Sequence, residues 1–322
     1  MVISLTSFPA RMPGLHLTVK SLLEQTQPAD LIVIWLAASQ FPNGMEDVPS
    51  TVSSLLSDRC IIKWCDDYGS YKKLIPTLQA YPDSIVITVD DDVIYESRLV
   101  EKLMRGHEAY PHCVIASRVT KLNRKDNVLF IDTGGHSFWK EPSFLNKLVG
   151  CAGVLYPPHC LDGEVMNVEA FTKLAPTSDD VWFWLMAVRA GTKTLRITDG
   201  EWLPKQNPIN RETESLSRIN DGEFGLFFTH LDNVLAAYPE IAAALMGEHS
   251  VSEETGGRRG GLYGTVGRLS YSMRRLPVAR QLYGAFLDYK NRKLAASRYY
   301  MRRVMLLEEE LSALRGESND GS

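Results

Sequence analysis

Ile85-Val86-Ile87-Thr88-Val89-Asp90-Asp91-Asp92 is the stretch on which the architecture turns, because five β-branched residues run straight into three carboxylates. A short apolar run without polar alternation is the pattern of a strand buried on both faces. Carboxylates placed so close together resist ionising at once, and the usual compensation is a cation. Strand alternation predicts Asp90 and Asp92 on one side and Asp91 on the other. Two hard oxygen ligands at a strand's carboxyl end suit Mg²⁺ or Mn²⁺, which also bridge phosphates. The same triplet also fits a plainer role, an acidic turn opening the next helix, where carboxylates favour the positive end of the dipole.

Outward from this stretch, Val2 to Leu5, Leu31 to Leu36, Ile61 to Cys65 and Val114 to Ala116 read as further buried strands. Between them, Leu15, Leu17, Val19, Leu22 and Leu23 suit a helix, as do Leu99, Val100, Leu103 and Met104. Strand-helix alternation predicts an α/β, mostly parallel, Rossmann-like sheet flanked by helices. In such sheets ligands sit beyond the carboxyl ends of the strands. After Ala116 the pattern becomes irregular, through KLNRKDN (121–127) and DTGGHS (132–137), to Val149-Gly150-Cys151-Ala152-Gly153-Val154-Leu155-Tyr156-Pro157-Pro158. The Gly150 to Gly153 stretch lets backbone approach a ligand closely, or is simply a turn before the prolines. A helix is expected from Asp179 to Ala190, a strand around Thr194 to Thr198 and helical patterns over Asp232 to Met246.

Ala175-Pro176-Thr177-Ser178-Asp179-Asp180-Val181-Trp182-Phe183-Trp184 opens that helix with two carboxylates. Thr177 to Asp180 has capping-box spacing, which is a sufficient structural reason for them. The functional alternative is a general base, a carboxylate held against the apolar wall of Trp182 and Trp184. Asp66-Asp67-Tyr68-Gly69-Ser70-Tyr71-Lys72-Lys73 follows the third strand, where lysines and a helix start suit phosphate, although Lys-Lys also fits a solvated face. His159 and His230 are possible third metal ligands, and equally ordinary structural histidines.

The 322 residues, 44% hydrophobic and 23% charged, hold enough apolar material for a full core. Their formal net charge of -4 conceals two regions, for Arg258 to Arg303 carries twelve Lys or Arg against one acid, Asp288. The residues before it are acidic, and those after it, from Val304, are acidic again. Five scattered cysteines without a CxxC pair argue against a disulfide framework or zinc site and point to a reducing cytoplasm. No signal-peptide pattern and no run of the ~20 apolar residues of a membrane span are read here. The organisation expected is a domain over 1–250, a Gly-rich linker over 251–261 and a basic helical tail over 262–322 that ends in the heptad-like VMLLEEELSAL (304–314). Basic residues interleaved with aromatics suit an interfacial helix on an anionic membrane surface, with Pro277 breaking it, or a tail packed on protein, including a homodimer through its last helix. No nucleic-acid motif accompanies them.

Taken together, Thr6-Ser7-Phe8-Pro9-Ala10-Arg11, Ser70 to Pro76, Thr88 to Asp92, Gly153 to Pro158 and Ala175 to Asp180 resemble a bacterial group of glycosyltransferase family 2 proteins of the GT-A fold, over roughly residues 1 to 200. The resemblance implies inverting transfer from a nucleotide diphosphate sugar, with a DXD-type motif holding Mn²⁺ or Mg²⁺ and the diphosphate. Carried over, Thr6 and Phe8 would line the nucleotide pocket, Asp67 and Lys72 would contact base or phosphate, and Asp90 and Asp91 would lie on the nucleotide-sugar side. Asp92 would hold the metal with Asp90, while Asp180 would be the base, with Asp179 beside it. The chain departs from the wider family after its second strand, where Ile34-Trp35-Leu36-Ala37 stands in place of a base-gripping aspartate. It also lacks a Gln-x-x-Arg-Trp element, which argues against a processive synthase. The expected setting is surface polysaccharide or lipid-linked glycan synthesis on the inner face of the cell membrane. A nucleotidyltransferase is one rival, yet Thr6 to Gly14 holds only one Arg and one Gly. A non-catalytic glycan-binding or scaffold protein is the other, opposed by the intact Asp90, Asp92 and Asp180.

Overall fold

The apolar run ahead of the triplet does form a central strand, and the elements around it follow the expected alternation. The computed structural model describes residues 1–125, 128–131, 141–197, 205–209 and 226–248. Its strands are β1 (Val2–Thr6), β2 (Leu31–Ala37), β3 (Cys60–Cys65), β4 (Val86–Thr88), β5 (Val93–Ile94), β6 (Val114–Ala116), β7 (Val119–Lys125), β8 (Val128–Ile131), β9 (Asn146–Leu148), β10 (Val154–Tyr156), β11 (Thr194–Arg196) and β12 (Lys205–Gln206). Its α-helices are α1 (Met12–Leu23), α2 (Ser50–Ser53), α3 (Ile75–Ala80), α4 (Leu99–Ala109), α5 (Val168–Leu174), α6 (Asp179–Arg189), α7 (Leu226–Ala237) and α8 (Pro239–Gly247). The linker and basic tail expected over 251–322 lie outside the described residues, as do 126–127 of KLNRKDN and the whole of DTGGHS.

Seven strands form the main sheet in the order β11-β6-β10-β4-β1-β2-β3. β1, β2, β3 and β4 pair in parallel, and only β10 runs against its neighbours β4 and β6. Neighbouring residues of each strand enter opposite faces. Ile87, Ile115 and Leu155 pack with Leu15, Leu22, Leu99 and Leu103 of α1 and α4. Val86, Val114 and Val154 pack on the other face with Trp182, Phe183 and Trp184 of α6. Helices on both faces explain the unbroken apolar strands, and the α/β class with a mostly parallel sheet is as expected.

Three local differences have physical causes. The helical stretch over Asp232 to Met246 begins earlier, at Leu226, and is divided in two, because Pro239 has no N–H to continue α7 and instead occupies the first turn of α8. Val154–Tyr156, three residues between Gly153 and Pro157, is too short to show a period, yet it completes the sheet between β4 and β6. The irregular stretch after Ala116 contains a small antiparallel sheet of order β8-β7-β9. α6 is apolar on nearly every side, as a helix enclosed by protein must be. Its indoles are anchored by donating to Val165 O at 3.1 Å (Trp182) and Phe144 O at 2.8 Å (Trp184). Among the described residues no helix is long and apolar enough to cross a membrane.

Candidate active site

Strand order reverses at β1, with β2 and β3 to one side and β4 to the other, which opens a crevice beyond the carboxyl ends of β1 and β4. The segments leaving β1 (from Ser7), β3 (66–73) and β4 (from Val89) meet there. Because β10 is antiparallel, its lead-in at Gly150–Gly153 arrives at the same edge, with Val154 beside Thr88. Five separate pieces of chain, including the start of α6, therefore supply one cluster.

Asp91 is the buried member of the triplet. Ser7 donates its hydroxyl to Asp91 Oδ2 at 2.5 Å, and Arg11 Nη1 lies 2.6 Å from Asp91 Oδ1. The same guanidine nitrogen is 3.2 Å from Asp92 Oδ2, while Arg11 also sits over the Phe8 ring at 5.4 Å. Burial pushes the Asp91 carboxyl above its usual range, and Arg11 and Ser7 offset part of this. Asp90 and Asp92 are each 28% exposed against 5% for Asp91, but the strand itself ends at Thr88 and one Arg11 nitrogen reaches both Asp91 and Asp92. Burial, and then the charge of Asp90, push the Asp92 carboxyl up to about 6. The backbone of the triplet is fixed as well: Thr18 donates to Asp91 O at 2.9 Å, the Asn207 amide to Asp92 O at 2.7 Å, and the Asp90 amide to Tyr95 Oη at 2.8 Å.

Residues 69–73 form a tight 3-10 turn, which Gly69 enters at a φ of 59° that favours glycine. Lys72 and Lys73 are not a solvated face: they are 2% and 5% exposed. A buried ammonium must be paired, and both are. Lys72 Nζ donates to Asp67 Oδ1 at 2.7 Å, and Gln40 donates to Asp67 Oδ2 at 2.8 Å. Burial alone would raise the Asp67 carboxyl, but hydrogen bonds from Lys72 and Gly69 outweigh it and hold the group below its usual range. Lys73 Nζ lies 2.7 Å from Asp90 Oδ1 and 2.9 Å from Asp179 Oδ2, and Ser70 donates to Asp179 Oδ1 at 2.9 Å.

Asp180 faces the lead-in to β10. Its Oδ2 accepts from the Gly150 amide at 3.0 Å and lies 4.0 Å from Lys147 Nζ. Burial, and then neighbouring Asp179, push the Asp180 carboxyl up to about 6, into the range of a base working near neutral pH. Ser178 is the N-cap of α6, but its hydroxyl makes no capping bond. The helix start is thus turned toward the cluster rather than toward its own amides.

The structure brings Asp90, Asp91, Asp92, Asp179 and Asp180 together, and Phe8 joins them through Arg11. Thr6 ends β1, where its hydroxyl donates to Trp35 O at 2.8 Å, and Asp67 and Lys72 form a neighbouring cluster with Gln40. His159 lies elsewhere, 3.1 Å from Asp83, which precedes β4 whereas the triplet follows it. His230 is buried within α7. Sequence reasoning gave no role to Ser7, Arg11 or Tyr95, read Lys73 only as a phosphate-side or solvated lysine, and read Gly150 only as part of a close-approach stretch or turn. Arg11 was within reach, three residues beyond Phe8 in a quoted motif, but nothing local shows that Lys73 is buried.

Arg11 makes a stability prediction. Removing one partner of a buried pair leaves an uncompensated charge, at a cost of about 3–5 kcal/mol. Arg11→Met should lower the urea midpoint accordingly, because the buried Asp91 carboxylate loses the cation it is paired with. An unchanged midpoint would show that the pair contributes nothing net to the fold.

No family model matches the chain, and no curated protein matches it. Among solved structures it is similar to the mannosyltransferase PcManGT from Pyrobaculum calidifontis in complex with GDP-Man and Mn2+, at 15% identity over 89% of this chain and 84% of that one, with a TM-score of 0.44. It is similar to S. aureus TarS 1-349 in complex with UDP, at 12% identity over 83% and 77% of the two chains, with a TM-score of 0.42. It is also similar to a CMP:2-keto-3-deoxy-manno-octonic acid synthetase complexed with CTP, at 13% identity over 64% and 93%, with a TM-score of 0.40. Likeness at this level leaves the chemistry to be read from the residues.

Proposed function

We propose that the chain is an inverting, metal-dependent glycosyltransferase that moves a sugar from a nucleotide diphosphate donor to a glycan or lipid-linked acceptor. The observation that carries this reading is the meeting of two acidic motifs, Asp90–Asp92 and Asp179–Asp180, at the switch point of a mostly parallel sheet. Asp180, half-buried and with its proton affinity raised, is in a base's environment. A carboxylate cluster at the end of the adjacent strand suits a diphosphate held through a cation.

Charge and donor chemistry fit Mn²⁺ or Mg²⁺. Asp90, Asp91, Asp92, Asp179 and Asp180 face Arg11, Lys73 and Lys147, which leaves a surplus of two negative charges. Among the described residues no three His, Cys, Asp or Glu side chains form a metal cage. Asp90 and Asp92 would hold the ion, with phosphate oxygens and water completing its sphere, as Mg²⁺ commonly requires. When bound, the ion supplies positive charge against the departing diphosphate. Asp180 takes the proton of the acceptor hydroxyl as that oxygen bonds the anomeric carbon. The bond from that carbon to the diphosphate oxygen breaks, and its electron pair leaves on the nucleoside diphosphate. Attack opposite the leaving group inverts the configuration. Thr6, Phe8, Asp67 and Lys72 are assigned to the nucleotide, with Asp67 and Lys72 presented by the Gln40 cluster.

A thermal-shift screen of nucleotide sugars with Mn²⁺ tests the reading, since a ligand at 100 times its Kd stabilises by about 2.7 kcal/mol. One or more donors should raise Tm only with the metal present. Release of pyrophosphate instead of a nucleoside diphosphate would make the chain a nucleotidyltransferase, and no binding at all would make it a non-catalytic protein. The basic segment from Arg258 to Arg303 is assigned to an anionic membrane at the inner face of the cell membrane, where each Lys or Arg contributes about 1 kcal/mol. Truncation after Ser252 should remove salt-sensitive vesicle binding and leave donor binding intact. Conversion of a dimer to a monomer would instead assign the tail to self-association.

A further inference from the structure

Lys73 is the cation of the cluster that touches both acidic motifs. From the 3-10 turn at 69–73 it reaches Asp90 beyond β4 at 2.7 Å and Asp179 at the start of α6 at 2.9 Å. That turn is itself pinned to the segment entering α6: Tyr71 stacks on Phe171 with ring centroids 4.1 Å apart and donates to Ala175 O at 2.6 Å, while Ser70 holds the other oxygen of Asp179. Gly150 closes the remaining side. A Cβ there would stand 2.5 Å from Asp180 Oδ1 and 3.0 Å from Lys73 Nζ, so an alanine would push the carboxylate of the base away from this backbone and crowd the ammonium.

Given the glycosyltransferase reading on which this rests, we propose that Lys73 is a positioning residue that sets the base against the donor. Through Asp90 it holds the strand end, through Asp179 it aims the first turn of α6, and Gly150 receives Asp180 at the resulting distance. Three carboxylates on two elements remote in sequence would otherwise repel, and α6 would settle farther from β4. A displacement of even about 1 Å at this point costs on the order of 100-fold in rate, because the acceptor oxygen no longer meets base and anomeric carbon together.

The experiment uses the full chain in three forms: wild type, Lys73→Met and Gly150→Ala, the last keeping every charge. Calorimetry with Mn²⁺ and UDP or GDP reads donor-side binding, and nucleoside diphosphate release from the matching nucleotide sugar reads kcat. In Lys73→Met, kcat should fall by about 100-fold. Metal-dependent nucleotide binding should be unchanged or tighter, since a positive charge beside Asp90 is gone. Gly150→Ala should lose at least about 10-fold in kcat at unchanged nucleotide affinity, and it decides the matter alone should Lys73→Met not fold. A kcat within about threefold of wild type in folded variants overturns the proposal, as does parallel loss of binding and turnover, which marks a merely structural role. If the wild type neither binds nor turns over any donor, the underlying function falls with it. Wild-type turnover beside fully active variants sinks the role of Lys73 alone.

Discussion

Asp180→Asn should lower kcat by ~10²- to 10⁴-fold while Mn²⁺-dependent donor affinity stays nearly intact. The asymmetry follows from position. Asp180 lies at the start of α6, against the Gly150 amide, and not on the strand end where the diphosphate would be held. Asn retains an oxygen for that amide and nearly the same volume, so the change removes proton affinity and little else. The pH dependence is part of the prediction. A base acts only when ionised, so with the carboxyl of the free enzyme pushed up to about 6, wild-type kcat/KM should rise with pH through that region and level off above it. The Asn variant should lose this limb. Normal turnover together with early melting would mean that the carboxylate serves the helix start, and that another group takes the proton. The absence of a capping bond from Ser178 already weakens that alternative.

Asp92→Asn should abolish metal-dependent donor binding without destabilising the fold. Groups that merely support a metal ligand cost ~10- to 100-fold in affinity when removed, and a ligand itself should cost at least as much. The apo protein has little to lose. Asp92 is partly exposed, shares Arg11 with the better-placed Asp91, and is crowded by Asp90, so neutralising it relieves repulsion. Urea unfolding should therefore give an unchanged or slightly higher midpoint, in contrast to Arg11→Met. Calorimetry of wild type with and without a chelator completes the test. Donor affinity that survived chelation would remove the metal from the mechanism and leave Arg11, Lys73 and Lys147 as the cations facing the diphosphate.

These expectations divide according to how local the physics is. β2 and β6 appear within a residue of where their apolar runs place them, because a strand buried on both faces must be apolar throughout. Asp179 and Asp180 were legible as a helix start for a similar reason, since Pro176 and the polar Thr177-Ser178 precede an apolar run. β10 was not legible: three residues carry no period, and its place between β4 and β6 is settled by pairing with strands far away in sequence.

By itself, then, the sequence determined the α/β alternation, the placing of carboxylates at the end of β4 and at the head of α6, and their choice as candidate residues. Composition, period and turn chemistry act over a few residues, and a reader of one chain has those in full. Only the tertiary structure decided that the two carboxylate groups face each other, that Arg11 and Lys73 divide their charge, and that Gly150 packs directly against Asp180 and Lys73. Each of these depends on burial and on contacts between residues some 80 or more positions apart in most cases, as with Arg11 and Asp91. A lysine such as Lys73 looks the same in sequence whether it is solvated or enclosed. Its environment is fixed by what the rest of the chain packs around it, and that environment decides whether it is a surface charge or the pin between two halves of a site.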